Sequence, residues 1–195
     1  MARPFVIGLT GSIGMGKSET ASLFAAEGIP VFDSDATVHA LYAGPAAAMI
    51  EAAFPGSTKA GRVDRAALAR QVTGDAAALA RLEGLMHPLV ADARDRFLAE
   101  TTAPIALLDV PLLLETGLAV DAIVVATAPA HVQRERVLAR PGMSEDKFNA
   151  LLARQMGDVE KRAHAHYLVR TDKGLDHARE QVKMILADVR TKLNA

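Results

Sequence analysis

Cysteine is absent from all 195 residues, which excludes a disulfide framework, a thiolate nucleophile and a zinc–thiolate site, and fits the reducing cytoplasm. An excess of either charge is missing too. Twenty-two basic against 23 acidic residues leave a formal charge of −1, so bulk electrostatics recruits neither nucleic acid nor an anionic membrane. Phosphate recognition, if there is any, has to be local. No apolar run reaches the roughly 18 residues of a membrane span. The opening Met1-Ala2-Arg3-Pro4 and residues 5–9 lack the long apolar core and small-residue cleavage site of a signal peptide. Internal repeats, HExxH or Cys/His metal spacing and an Asn-Lys-x-Asp guanine motif are all missing. These absences leave small soluble molecules as expected partners, with no nucleic acid and no membrane, a cytoplasmic location, and an oligomeric state that the sequence leaves open.

Half of the residues are apolar, enough to bury a core in one domain with an inserted region. Short apolar runs alternate with longer helical patterns, the signature of βαβ units and a parallel sheet. Strands are expected at residues 5–10, 30–33, 105–109, 121–127 and 167–170. The stretch between the second and third is too long for a simple crossover, so it should hold a helical insert, with helices at 45–54, 65–73 and 76–101. His87-Pro88 inside the last of these reads as a helix break or a packing position. A second helical stretch, 131–164, is rich in arginine and reads as a lid. His131, His164, His166 and His177 read as surface residues.

The chemistry is concentrated at Gly11-Ser12-Ile13-Gly14-Met15-Gly16-Lys17-Ser18, which fits G-x-x-x-x-G-K-[ST] between an apolar run and a helical pattern. Such a P-loop turns tightly on its glycines so that backbone N–H groups converge on phosphate oxygens at a helix N-terminus. Lys17 is then expected on the β- and γ-phosphates of ATP and the Ser18 hydroxyl on Mg²⁺. Glu19 suits the helix dipole but would repel a phosphate, and is expected to point away.

Asp33, Asp35 and Asp109 end the second and third expected strands, at the sheet edge where ligands collect. Asp33 is the candidate general base or hydroxyl-orienting residue, the alternative being that Asp33, Ser34 or Asp35 caps a helix beginning near Ala36. Asp109 is placed to bind Mg²⁺ directly or through water, or to serve as a turn carboxylate. Arg136 and Arg140 lie four apart and could reach ATP phosphates from the lid, or form a solvated face with Glu135.

Over nearly its whole length the chain resembles the dephospho-coenzyme A kinase family. The resemblance is carried by residues 7–18, by Val31-Phe32-Asp33-Ser34-Asp35, by Gly61-Arg62-Val63-Asp64-Arg65 and by His87-Pro88. It is carried further by Asp109-Val110-Pro111-Leu112-Leu113-Leu114-Glu115, by Gln133 with Arg136 and Arg140, and by Arg154-Gln155-Met156. Ala165-His166 and Thr171 depart from the usual Ala-Asp and Asn of that family, and Pro141 replaces an acidic residue.

The resemblance implies an α/β P-loop kinase with a parallel five-stranded sheet flanked by helices. Its core would comprise residues 1–35, 103–130 and 165–195, with an acceptor-binding helical insert at 36–102 and a lid at 131–164. It implies ATP-dependent phosphorylation of the ribose 3′-hydroxyl of dephospho-coenzyme A. Asp33, Lys17 and Arg140 would be catalytic, and Gly11 through Glu19 with Arg140 would hold ATP. Asp33, Arg65, His87 and Pro111 would hold the acceptor, and Ser18 and Asp109 the Mg²⁺. Read from the residues alone, another small-metabolite or nucleoside P-loop kinase fits equally, and a nucleotide-driven switch is the rival from another class.

Overall fold

The computed structural model describes residues 3–194. Five strands form one parallel sheet: β1 (Phe5–Thr10), β2 (Val31–Asp33), β5 (Ile105–Asp109), β6 (Ala122–Thr127) and β7 (Tyr167–Arg170), in the order β2-β5-β1-β6-β7. Two more, β3 (Thr58–Lys59) and β4 (Arg62–Val63), make a separate hairpin. Apart from half-buried Phe5, β1 and β5 are buried throughout because a parallel sheet is covered on both faces, which is why they read as unbroken apolar runs. In register, Leu9 of β1 lies level with Asp109 of β5 and with Val124 of β6. The residues that follow β1 and β5 therefore emerge side by side at one edge of the sheet.

Two compact units make up the chain, one running to Val31 and resuming at Thr101, the other comprising Phe32–Glu100. The first carries α1 (Lys17–Ala26), α6 (Ala130–Leu138), α7 (Glu145–Leu152), α8 (Asp158–Ala163) and α9 (Leu175–Leu193). Leu23 and Phe24 of α1 and Val182, Leu186 and Val189 of α9 pack on Ile7, Leu9, Leu107 and Val124 of the sheet.

The second unit holds α2 (Ser34–Tyr42), α3 (Ala47–Ala53), α4 (Arg65–Val72) and α5 (Ala76–Glu100) around its own core of Ile50, Phe54, Leu68, Leu82 and Met86. Arg81 stacks its guanidinium 4.4 Å over the Phe54 ring. Asp64 and Asp75 accept from the first backbone N–H groups of α4 and α5 and so start those helices.

Three expectations about local structure need correction. α2 begins at Ser34 rather than near Ala36, with Asp33 as its N-cap. Pro88 does not break the third insert helix, for α5 runs through it. Buried Leu82 and Met86 before it, and Leu85 and Leu89 packed on the same core, outweigh the roughly 3 kcal/mol a proline costs inside a helix. The β3–β4 hairpin was not foreseen. It turns on Ala60 and Gly61, both at positive φ (52° and 73°), the conformation a two-residue hairpin loop demands.

Asp121, just before β6, receives two bonds from Arg3, at 2.6 and 2.7 Å, and one from Val6 N at 2.7 Å. The Arg3 guanidinium first, against the opposing effect of burial, holds the Asp121 carboxyl below its ordinary value of 3.8. A depressed folded-state pKa contributes stability that is present above the unfolded value and is lost as pH falls through the folded one. Asp121→Asn should therefore lose stability less steeply than the parent protein below about pH 4, read from denaturant midpoints across the acid range.

Candidate active site

The turn between β1 and α1 is built by glycines. Gly14 and Gly16 adopt φ of 78° and 84°, and a Cβ at Gly14 would come within 2.5 Å of Val137 Cγ2. At Gly16 it would lie 2.9 Å from the Thr171 side chain. Both positions thus combine a left-handed backbone with a close neighbour that no other residue accommodates. Lys17 opens α1, and its Nζ reaches Asp109 Oδ1 at 2.5 Å, with the carboxylate only 3% exposed. Ser18 follows with an exposed side chain.

Residues of 131–164 bolt this turn down from outside. Ile13 N donates to Gln155 Oε1 at 3.0 Å, and Ile13 O accepts from Gln133 Nε2 at 2.8 Å. Ser12 Oγ donates to Met156 O at 3.4 Å. Glu115 accepts from Met156 N at 2.9 Å and from the Lys161 ammonium at 2.8 Å. Burial would raise the Glu115 carboxyl, but the bonds from Lys161 and Met156 outweigh it and hold the group below the usual carboxylate range.

Beside the turn lies a cavity of about 450 Å³, bounded by Gly14, Gly16 and Glu19 on one side and by Arg136, Arg140 and Thr171 on another. Asp172, Gly174, Leu175 and Ala178 complete its far wall. Glu19, with an exposed side chain, is among the residues that line this cavity. Arg140 lines it as well. Arg136 is otherwise engaged: it donates to Thr171 O at 2.7 Å and Thr171 Oγ1 at 2.9 Å, while that hydroxyl donates to Met15 O at 2.9 Å. Arg136, read from spacing as a phosphate contact or part of a solvated face with Glu135, here clamps Thr171 over the P-loop while also lining the cavity.

The first unit brings together Gly11 through Glu19, Asp109, Pro111 and Arg140. Asp33, Arg65 and His87 belong to the second unit. There Asp33 Oδ1 accepts from Ala36 N at 2.9 Å, and Arg65 Nη1 lies 3.0 Å from His39 Nε2. His87 is exposed. His131, His164, His166 and His177 are exposed too, and His166 Nδ1 accepts from Ile123 N at 3.1 Å. Sequence reasoning missed the wall formed by Asp172, Gly174 and Leu175. A strand followed by Thr-Asp-Lys-Gly and a helix at the P-loop edge was the available signal. Among the described residues no group of three or more His, Asp or Glu could hold a metal by itself. A magnesium bound through one or two side chains and substrate phosphates asks for less, and Ser18 and Asp109 suit it.

The protein-family model for dephospho-CoA kinase matches residues 5–177. The chain belongs to the dephospho-CoA kinase family. A curated dephospho-CoA kinase of Mesorhizobium japonicum is 56% identical over 190 residues, covering 95% of this chain and 96% of its own. A crystal structure of a Thermus thermophilus protein superposes with a TM-score of 0.85 at 34% identity, covering 96% of this chain and 98% of its own. The dephospho-CoA kinase of Campylobacter jejuni, at 20% identity, shares the fold with a TM-score of 0.67 and covers 96% of this chain and 98% of its own. Family membership makes the protein a phosphotransferase to an alcohol acceptor, and no helix among the described residues is long and apolar enough to cross a membrane.

The Arg136 clamp has a measurable consequence. A phosphate contact would tolerate lysine, a point charge, whereas a forked bond to one residue's carbonyl and hydroxyl would not. Arg136→Lys should weaken nucleotide binding roughly tenfold, as much as Arg136→Ala does, about the loss of one charge-assisted hydrogen bond. Calorimetric titration with ADP makes the comparison.

Proposed function

We propose that the protein transfers the γ-phosphoryl group of ATP to the ribose 3′-hydroxyl of dephospho-coenzyme A, giving coenzyme A and ADP. The observation that carries this reading is the P-loop with Lys17 at its end, opening on a cavity that Arg140 lines, in a chain of this family. Backbone N–H groups of the loop and Lys17 hold the β- and γ-phosphates, and Arg140 balances charge on the transferred group. Bound Mg²⁺ would neutralise phosphate charge, with Ser18 and Asp109 as its protein ligands. Lys17 exchanges Asp109 for phosphate when nucleotide arrives.

Asp33 orients the hydroxyl and accepts its proton as the oxygen–phosphorus bond forms and the bridge to the β-phosphate breaks. Capping Ala36 N with Oδ1 does not exhaust it, because a carboxylate has about four acceptor sites. The region 36–102 serves as the acceptor-binding insert, with Arg65 and His87 supplying contacts, and Pro111 adds one from the core. Segment 131–164 acts as the lid that excludes water. These soluble substrates fit a cytoplasmic enzyme.

ATP-dependent turnover of dephospho-coenzyme A, with the product's phosphate placed by NMR, tests the reading directly. A product phosphorylated elsewhere, or no product, would overturn it. Asp33→Asn keeps the helix cap, since asparagine caps as well as aspartate. Its kcat should fall about 10²-fold while ADP affinity and thermal midpoint hold. An unchanged kcat would leave Asp33 a cap and nothing more.

A further inference from the structure

Lys161 on α8 has no part in the roles assigned above, yet its side chain is completely buried. A lysine in that position calls for an explanation, because an apolar residue of similar volume fills a core without any charge to compensate. The polar contacts of its ammonium group are with segments beside the P-loop. Nζ lies 2.8 and 3.1 Å from the two Glu115 oxygens, 3.3 Å from Pro111 O and 3.5 Å from Thr10 Oγ1. Thr10 is the last residue of β1, immediately before Gly11, and it donates its hydroxyl to Pro111 O at 2.9 Å. Pro111 stands two residues beyond Asp109, the partner of Lys17.

Glu115 passes the constraint on. Its Oε1 also accepts from Met156 N, the Met156 carbonyl accepts from Ser12 Oγ, and the neighbouring Gln155 accepts from Ile13 N. A closed ring results: β1 into the P-loop apex, the apex to the 155–156 turn, that turn to Glu115, and Glu115 through the ammonium back to the end of β1. The three hydrogens of an ammonium can point at three acceptors at once, which no apolar side chain and no single amide reproduces. Glu115 ends the Asp109-Val110-Pro111-Leu112-Leu113-Leu114-Glu115 segment, and this ring is what gives it a task.

We propose that Lys161 is a positioning residue for phosphoryl transfer, acting through Glu115 to hold the 109–115 segment and the 155–156 turn against the P-loop. Removing the ammonium loosens both the apex that faces the phosphates and the segment that aims Asp109. The loss then falls chiefly on the nucleotide and on the chemical step, because only one of the proposed acceptor contacts, Pro111, lies on this segment. The inference rests on the kinase reading given above.

The test uses the full chain with Lys161→Met, which keeps the length of the side chain, and Glu115→Gln, which keeps an oxygen for Met156 N. Each should lower kcat/KM for ATP about tenfold or more and weaken ADP binding at least about threefold, with KM for dephospho-coenzyme A within about twofold. The double variant should be no worse than the poorer single one, because one ring is broken only once. A folded Lys161→Met with parental kcat and ADP affinity overturns the proposal, as do single losses that multiply in the double variant, or equal losses toward both substrates. Should Lys161→Met fail to fold, Glu115→Gln decides alone, since its side chain reaches in from the surface at 23% exposure. Parental protein that binds ADP but does not phosphorylate dephospho-coenzyme A would sink the functional reading, while the ADP comparison still judges Lys161.

Discussion

The contact between Lys17 and Asp109 is the interaction on which the nucleotide side of the molecule depends. It joins the first residue of α1 to the last residue of β5, and so ties the helix that follows the P-loop to the strand beside it. Side chains 14% and 3% exposed meet at 2.5 Å, where attraction between opposite charges is far stronger than in water. Either charge left alone there would carry a large desolvation penalty. The pair therefore holds the Lys17 side chain in one place at the end of the P-loop turn.

Register makes the pair possible. Leu9 is level with Asp109, so the chain leaving β1 toward Gly11 and the chain leaving β5 toward Pro111 emerge together. The positive φ of Gly16 then starts α1 back along the sheet. Around this turn the side chains divide their tasks. Arg140 and Glu19 line the cavity, Gln133 and Gln155 spend hydrogen bonds on the loop itself, and Arg136, which lines the cavity too, is held on Thr171. A chain with a formal charge of −1 binds a polyanion by such local arrangement and not by its overall field.

The sheet was legible almost residue by residue, because strands buried on both faces appear as apolar runs closed by Asp, Thr or Arg, and the expected bounds missed by one residue only at β2 and β6. The P-loop was legible because its glycines and lysine form a local pattern. What failed depended on distance. The two-residue strands at Thr58–Lys59 and Arg62–Val63 are too short to show alternation, and Pro88 looked like a break because the core holding α5 straight lies elsewhere in the chain. Spacing left Arg136 on phosphate or on a solvated face with Glu135, and could not show its bonds to Thr171, 35 residues on. Lys161 gave no signal at all. Its acceptors lie at positions 10, 111 and 115, and nothing in a short polar helix announces that one lysine points inward.

These bonds also limit how segment 131–164 can move. A displacement of the whole segment as one body would strip Ile13 of both its partners, release Thr171 from Arg136 and expose the Lys161 ammonium without Glu115. Breaking several buried polar contacts together is costly, and each unpaired group adds its own desolvation penalty. A displacement confined to α7 and its flanks, residues 141–153, breaks none of them. Its polar ties within the segment are surface ones, such as Arg134 with Glu145 and Lys147 with Gly142 O, worth little individually in water, so that buried Phe148 is its main attachment. Arg140 stands at the boundary, directly after the clamped helix α6 and directly before Pro141, whose ring fixes its own φ and disfavours a helical conformation for Arg140. A side chain at that boundary can follow α7 while α6, tied to the P-loop through Gln133, holds the backbone that precedes it.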